Sequence, residues 1–313
     1  MNGIPEDPHD RQRAVMRGIG IMTVAMLIVP SMDVLAKMLT AEMPALEVTF
    51  GRFVGQLLAA TIAGVALGEW RRLVPPKLLG HILRSLFLAA TSLMFFSALA
   101  TMPLTDALAI AFAEPMILTA VSPWLLGETV GWRRWAACGV GFLGTLMITR
   151  PSFEQFGPTA LLPLGAAFTF AGYHVMTRRL AGEGGLVAVQ FITGVVGTAA
   201  LGAVLAGVTA AGLLTSPPVM PTGLSWVWFL GIGALSFLTH GMIVRAFEHA
   251  PAAVLAPFGY LEIVSATILG YLVFGDFPDG PTWAGIAVIV AAGLYIVHRE
   301  RLKGRSRELP PLE

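Results

Sequence analysis

The chain has 313 residues, 56% of them hydrophobic and 12% charged, with 20 basic against 19 acidic side chains and a mean hydropathy of +0.75. A soluble domain carries about 25% charged residues, so the deficit in charge puts the chain in the membrane class and leaves no basic excess for nucleic acid. The single cysteine, Cys138, excludes an intrachain disulfide and any cysteine-based metal site.

In chain order, a polar segment from Met1 to Arg17 precedes an apolar run longer than the h-region of a secretory signal, so that run is expected to be the first membrane helix. No lipidation motif is evident at either end. About 20 apolar residues are needed to cross the hydrocarbon core. On that measure the spans fall near 18–39, 46–68, 78–100, 103–126, 133–150, 158–180, 186–208, 224–247, 252–274 and 281–298. Very short links, such as Thr101 to Met102, require neighbouring helices to run antiparallel.

Charge sets the expected orientation. Arg11, Arg13, Arg17, Arg71, Arg72, Lys77, Arg84, Arg133, Arg134, Arg178, Arg179, Arg245, Arg299, Arg301, Lys303, Arg305 and Arg307 fall on one face of this ten-span arrangement. Only Lys37, Arg52 and Arg150 lie elsewhere. The positive-inside rule then makes that face, and both chain ends, cytoplasmic. The seven tryptophans, Trp70, Trp124, Trp132, Trp135, Trp226, Trp228 and Trp283, sit close to predicted helix ends, as interfacial anchors do.

Shifting the chain against itself by 148 positions superposes Ala98 on Ala246, Pro103 on Pro251, Glu114 on Glu262, Gly127 on Gly275, Glu128 on Asp276 and Trp135 on Trp283. A weaker match, at 141, sets Lys37 over Arg178. The repeat unit is therefore five helices. Five is odd, so the second unit enters the membrane from the other side, and the fold class is an all-α membrane protein of ten transmembrane helices in two inverted repeats. The expected organisation is a tail over 1–17, repeats over 18–150 and 158–298, and a basic tail over 299–313. Inverted halves permit two states of similar energy opening to opposite faces, which a receptor or a scaffold does not need.

Glu114 and Glu262 stand near the middle of helices 4 and 9, where an ionised carboxylate costs at least ~2.5 kcal/mol. Each either faces a polar cavity or is protonated and bonded to backbone. Pro115 and Pro257 remove backbone donors beside them and are expected to kink both helices. On helix 1, Asp33 and Lys37 are four residues apart and share a face. With Glu47 and Arg52 of helix 2 they make either a static ion-pair network or an outer gate with substrate contacts. Tyr173, His174 and Arg178 take the corresponding place in helix 6, and Tyr260 lies two residues from Glu262. Aromatic rings beside carboxylates suit a flat ligand, and packing explains them equally well. His240 of helix 8 is expected to have a hydrogen-bonded structural role. Gly139, Gly141 and Gly144, and Gly194, Gly197 and Gly202, are expected to bring helices close, and no nucleotide-binding fingerprint is present.

The buried glutamates, the text Leu126-Leu-Gly-Glu-Thr-Val-Gly-Trp-Arg-Arg-Trp135 and the text Phe274-Gly-Asp-Phe-Pro-Asp279 resemble the EamA-type branch of the drug/metabolite transporter superfamily, over roughly Gly18 to His298. Met32-Asp33-Val-Leu-Ala-Lys37, Glu47 to Arg52 and Tyr260-Leu-Glu262 are similar to S-adenosylmethionine uptake proteins and bacterial riboflavin transporters, although relatives often carry asparagine at the position of Met32. The resemblance implies a secondary metabolite carrier of the bacterial inner membrane, with no cofactor and no metal site. Its partners would be a small organic metabolite and the lipid bilayer, not nucleic acid, and a homodimer is compatible with this. The expected central cavity is lined by helices 1, 3, 4, 6, 8 and 9, with Glu114, Glu262, Tyr260, Tyr173, His174 and Arg52 along the substrate path and Asp33, Lys37 and Glu47 as gate or ion-pair residues. Alternatives are an exporter of amino acids or toxic amphiphiles on the same fold, and a polytopic membrane enzyme, for which the six histidines supply no catalytic constellation.

Overall fold

The computed structural model describes residues 8–69, 72–102, 104–149, 157–212, 219–274 and 280–305. Among them the chain forms ten helices and no strand. These are α1 (Pro8–Thr40), α2 (Ala45–Ala66), α3 (Leu78–Leu99), α4 in two parts (α4a, Leu104–Ala111; α4b, Glu114–Leu126), α5 (Trp132–Thr149), α6 (Leu161–Arg179), α7 (Leu186–Ala210), α8 (Ser225–His249), α9 in two parts (α9a, Ala252–Leu255; α9b, Leu261–Phe274) and α10 (Gly280–Arg305). A 3₁₀ turn at Gly157–Ala160 leads into α6, and a second, Ala256–Tyr260, joins α9a to α9b. Seven helical segments are individually long and apolar enough to cross a membrane. The fourth span is split, the fifth opens on Arg133 and Arg134, and the tenth carries a shorter apolar stretch at Trp283–Ile296.

The side of the bundle at which α1 begins is called the terminal face below. Helix contacts come in pairs related by exchange of the two halves: α1 packs along α8 as α6 packs along α3, while α2 meets α7 and α5 meets α10. α2 crosses α8 at two glycines, where a methyl on Gly233 would stand 2.4 Å from Cα of Gly55. Among the glycines marked out by sequence, Gly194 and Gly197 lie against Leu57 and Phe53 of α2, and Gly141 receives the ring of Tyr260. Gly139 faces open space and serves no such contact. Trp124, Trp132 and Trp283 are exposed near helix ends. Trp70, Pro103 and Arg150, and the Gly275–Asp279 portion of the second family text, lie outside the described residues.

Both halves break their fourth helix just before the matched glutamates, Glu114 and Glu262. The ring of Pro115 opposes the carbonyl four residues back, that of Ala111, and α4a ends there. The chain then makes a tighter turn, with the Ala113 N–H donating to Ile110 O at 3.1 Å, before α4b starts at Glu114. In α9 the 3₁₀ turn holds Pro257 in its first turn, and α9b opens with Glu262 in its first turn. Different prolines thus produce matching breaks, and each places a glutamate at the start of the second piece.

Outside the spans, the Lys77 ammonium donates to Glu183 Oε1 at 2.6 Å, tying the start of α3 to the α6–α7 link. That hydrogen bond holds the Glu183 carboxyl below its ordinary range.

Candidate functional site: a central cavity with three carboxyl groups

The helix breaks open onto a cavity enclosing about 880 Å³ of free space, including the part that opens outward. Its walls come from α1, α3, α4, α6, α8 and α9, the six helices expected, together with Arg52 of α2. Asp33, Glu114 and Glu262 all line it. So do the rings of Phe95, Phe96, Phe112 and Phe170, and the thioethers of Met22, Met26 and Met32.

Each polar side chain reaches the wall for a local reason. Arg52 is 1% exposed, and each of its three guanidinium nitrogens has a neighbour from α3 or α8. Nε donates to Ser236 Oγ at 2.6 Å, Nη1 donates to Ser92 Oγ, and Nη2 lies 2.7 Å from His240 Nε2. Its charge is also attracted by Asp33. His240 has the hydrogen-bonded structural role expected of it, holding Arg52 in place, and it also lines the cavity. His174 Nδ1 lies 2.9 Å from Glu114 Oε1, joining α6 to the start of α4b. Asp33 and Glu262 face each other across the α1–α9b contact closely enough for their carboxyl groups to interact. Among the described residues, Asp33 Oδ2, His174 Nε2 and His240 Nδ1 have no hydrogen-bond partner. Buried polar atoms are rarely left unpaired, so these atoms, on residues lining the cavity, suit a polar ligand or water.

Several sequence expectations need correction. Asp33 and Lys37 share a helix face but form no ion pair among the described residues, because Lys37 Nζ turns to Leu99 O and to Met102 O at 3.0 Å. Glu47 and Arg52 do not pair either: Glu47 Oε2 accepts from the Val219 N–H at 2.9 Å, while Arg52 points inward. Tyr173 and Tyr260 are not among the cavity-lining residues. Tyr173 stacks on Phe170 at 5.6 Å and has the Arg84 guanidinium over its ring, and Tyr260 fills the notch at Gly141. Arg84, grouped by sequence with the charges of one face, is 1% exposed and bonds to Thr193 Oγ1 and Val189 O of α7. Sequence reading passed over the methionine and phenylalanine walls. In helices that are apolar almost all round, 3.6-residue periodicity gives little sign of which face is internal. The adjacent Thr91 and Ser92 were the available signal on α3.

Two pseudo-equivalent sets of five helices, each broken just before a matched glutamate around an internal cavity with polar groups, have the architecture of inverted-repeat membrane transporters. The chain belongs to the EamA-like transporter family, whose model matches twice, over residues 16–150 and 157–298. It is 27% identical over 301 residues to an S-adenosylmethionine uptake transporter of Rickettsia bellii, covering 96% of this chain and 100% of that one. It is 32% identical to a riboflavin transporter of Vibrio cholerae, over 72% of this chain and 73% of the other. A pseudopaline exporter of Pseudomonas aeruginosa is 31% identical, over 88% and 94%. A solved crystal structure, 24% identical, shares the fold with a TM-score of 0.73 over 91% of this chain and 98% of its own. These relatives make the protein a carrier of a small metabolite.

Proposed function

We propose that the protein takes up a positively charged, ring-bearing metabolite of the S-adenosylmethionine type across the bacterial inner membrane by alternating access, with the terminal face in the cytoplasm. The observation that carries this reading is the imbalance of charge in the cavity. Three carboxyl groups line it against one arginine among the lining residues, so acidic groups outnumber basic ones there even though Arg52, held by neutral serine and histidine partners, keeps its charge. A cation seated between Asp33 and Glu262 relieves the cost of burying those groups at membrane depth. A sulfonium or ammonium centre is also attracted by the faces of Phe95, Phe96, Phe112 and Phe170. An adenine ring fits against the same aromatic and thioether walls. Riboflavin has no cationic centre to use the carboxyl groups. The terminal-face assignment is supported by the distribution of Lys and Arg.

Thermal unfolding of the purified protein with S-adenosylmethionine, S-adenosylhomocysteine and riboflavin tests the cargo class. S-adenosylmethionine is expected to raise Tm. S-adenosylhomocysteine, which lacks the sulfonium methyl and its charge, should raise it much less. A shift with riboflavin and none with S-adenosylmethionine overturns the assignment. Export is the second reading, favoured by the exporter among the relatives. Cells carrying the protein would then expel labelled cargo where uptake predicts accumulation.

A further inference from the structure

Below the cavity, towards the terminal face, α1, α4b, α6, α8 and α9a close into a dense apolar plug that includes Ile19, Leu118, Phe247, Ala250 and Leu255. α1 presses on the α8–α9a joint, where a methyl on Gly18 would lie 2.8 Å from Cβ of Ala250. One polar cluster ties this plug together. Glu128, in the link between α4b and α5, accepts from the Ala252 N–H through Oε1 and from the Ala253 N–H through Oε2, both at 2.9 Å. These donors open α9a, where no earlier helical turn supplies a carbonyl for them. The same Oε1 accepts from Arg178 Nε at 3.1 Å, and Arg178 Nη1 donates to Phe247 O at 2.6 Å. Glu128 and Arg178 together thus join the end of α4b, the end of α6 and the start of α9a through the carboxylate, and the end of α8 through the guanidinium, and all of these ends lie on one face.

The other half holds the same joint on the opposite face. Lys37, matched to Arg178 by the repeat, donates near the end of α1 to Leu99 O, and Leu99 is matched to Phe247 by the offset of 148. It also donates to Met102 O just before α4a. Asp276, the sequence counterpart of Glu128, lies outside the described residues.

We propose that Glu128 and Arg178 form a latch that shuts the cavity towards the terminal face, and that Lys37 fastens the equivalent joint on the opposite face. The inference rests on the carrier reading, since only a carrier opens to each face in turn. In the cycle the Glu128 carboxylate releases the two α9a amides and Arg178 together, which frees α9a to swing from α4b and opens the plug. Latch opening exposes Met22, which belongs to the plug and lines the cavity above it.

A single reporter, Met22→Cys in a Cys138→Ala background, reads this with a membrane-impermeant maleimide added to right-side-out or inside-out vesicles. Glu128→Gln is expected to raise labelling from the terminal face at least severalfold and lower it from the other. Lys37→Gln is expected to shift labelling in the opposite sense. Exchanging the charges, Glu128→Arg with Arg178→Glu, is not expected to restore the parent pattern, because an arginine offers the α9a amides no acceptor. Unchanged labelling in a stable Glu128→Gln protein overturns the latch. If that variant fails to fold, Lys37→Gln decides alone, and a shift towards the terminal face or no shift refutes the proposal. Labelling that moves as expected, with no cargo transported by the parent protein, leaves the latch standing and removes the carrier reading. Transport with unmoved labelling does the reverse.

Discussion

Asp33, Glu114 and Glu262 share one cavity but stand in different surroundings. Glu114 has a fixed partner in His174 at 2.9 Å, whereas Asp33 and Glu262 face each other. Replacement by glutamine therefore has unequal effects. Glu114→Gln keeps an oxygen for His174 and is expected to lower transport only severalfold. Glu262→Gln removes an acidic group from the cation seat, where a hydrogen bond to a charged group is worth about 2 kcal/mol. That corresponds to about 30-fold in uptake. Proteoliposome flux per molecule of reconstituted protein checks both, and equal loss in the two variants would contradict the distinction. Sequence alone marked the glutamates as anomalous because of their depth. It did not show that Glu114 meets a histidine 60 residues away, or that Arg52 meets one 188 residues away, since nothing local specifies such partners.

Among the elements, α4 and α9 were the most legible. Pro115 and Pro257 announced that these helices would not run straight, and the break in α4 falls where the proline ring opposes the carbonyl four residues back. The crossing of α2 and α8 was less so. Gly55 and Gly233 are two among 35 glycines, and only their meeting in space shows that they set how closely the two axes approach. Gly233→Val places three carbon atoms where a single methyl already stands 2.4 Å from Gly55 Cα. Overpacking of this kind costs about 1 to 3 kcal/mol. The variant is expected to show a clearly lower Tm in detergent, whereas Gly139→Val, facing open space, is expected to match the parent protein.

For the molecule as a whole, the repeat read from six matched positions reappears as paired helix contacts, α1 with α8 and α6 with α3. Helix number, order and antiparallel arrangement were all available from apolar run lengths. The cavity shape was not, because it depends on how far the two halves lean apart. Reporter tags at both chain ends are expected to be reachable from the same side of the membrane. A split result would contradict the even number of crossings.

The matched breaks in α4 and α9 have an evolutionary corollary. Where a helix is interrupted inside a bilayer, main-chain carbonyl and amide groups themselves make the centre hydrophilic, whatever side chains surround them. Selection can then retune the lining residues for a new cargo while the scaffold keeps its wet centre. Kinship among proteins named for S-adenosylmethionine, riboflavin and pseudopaline is what such an arrangement allows.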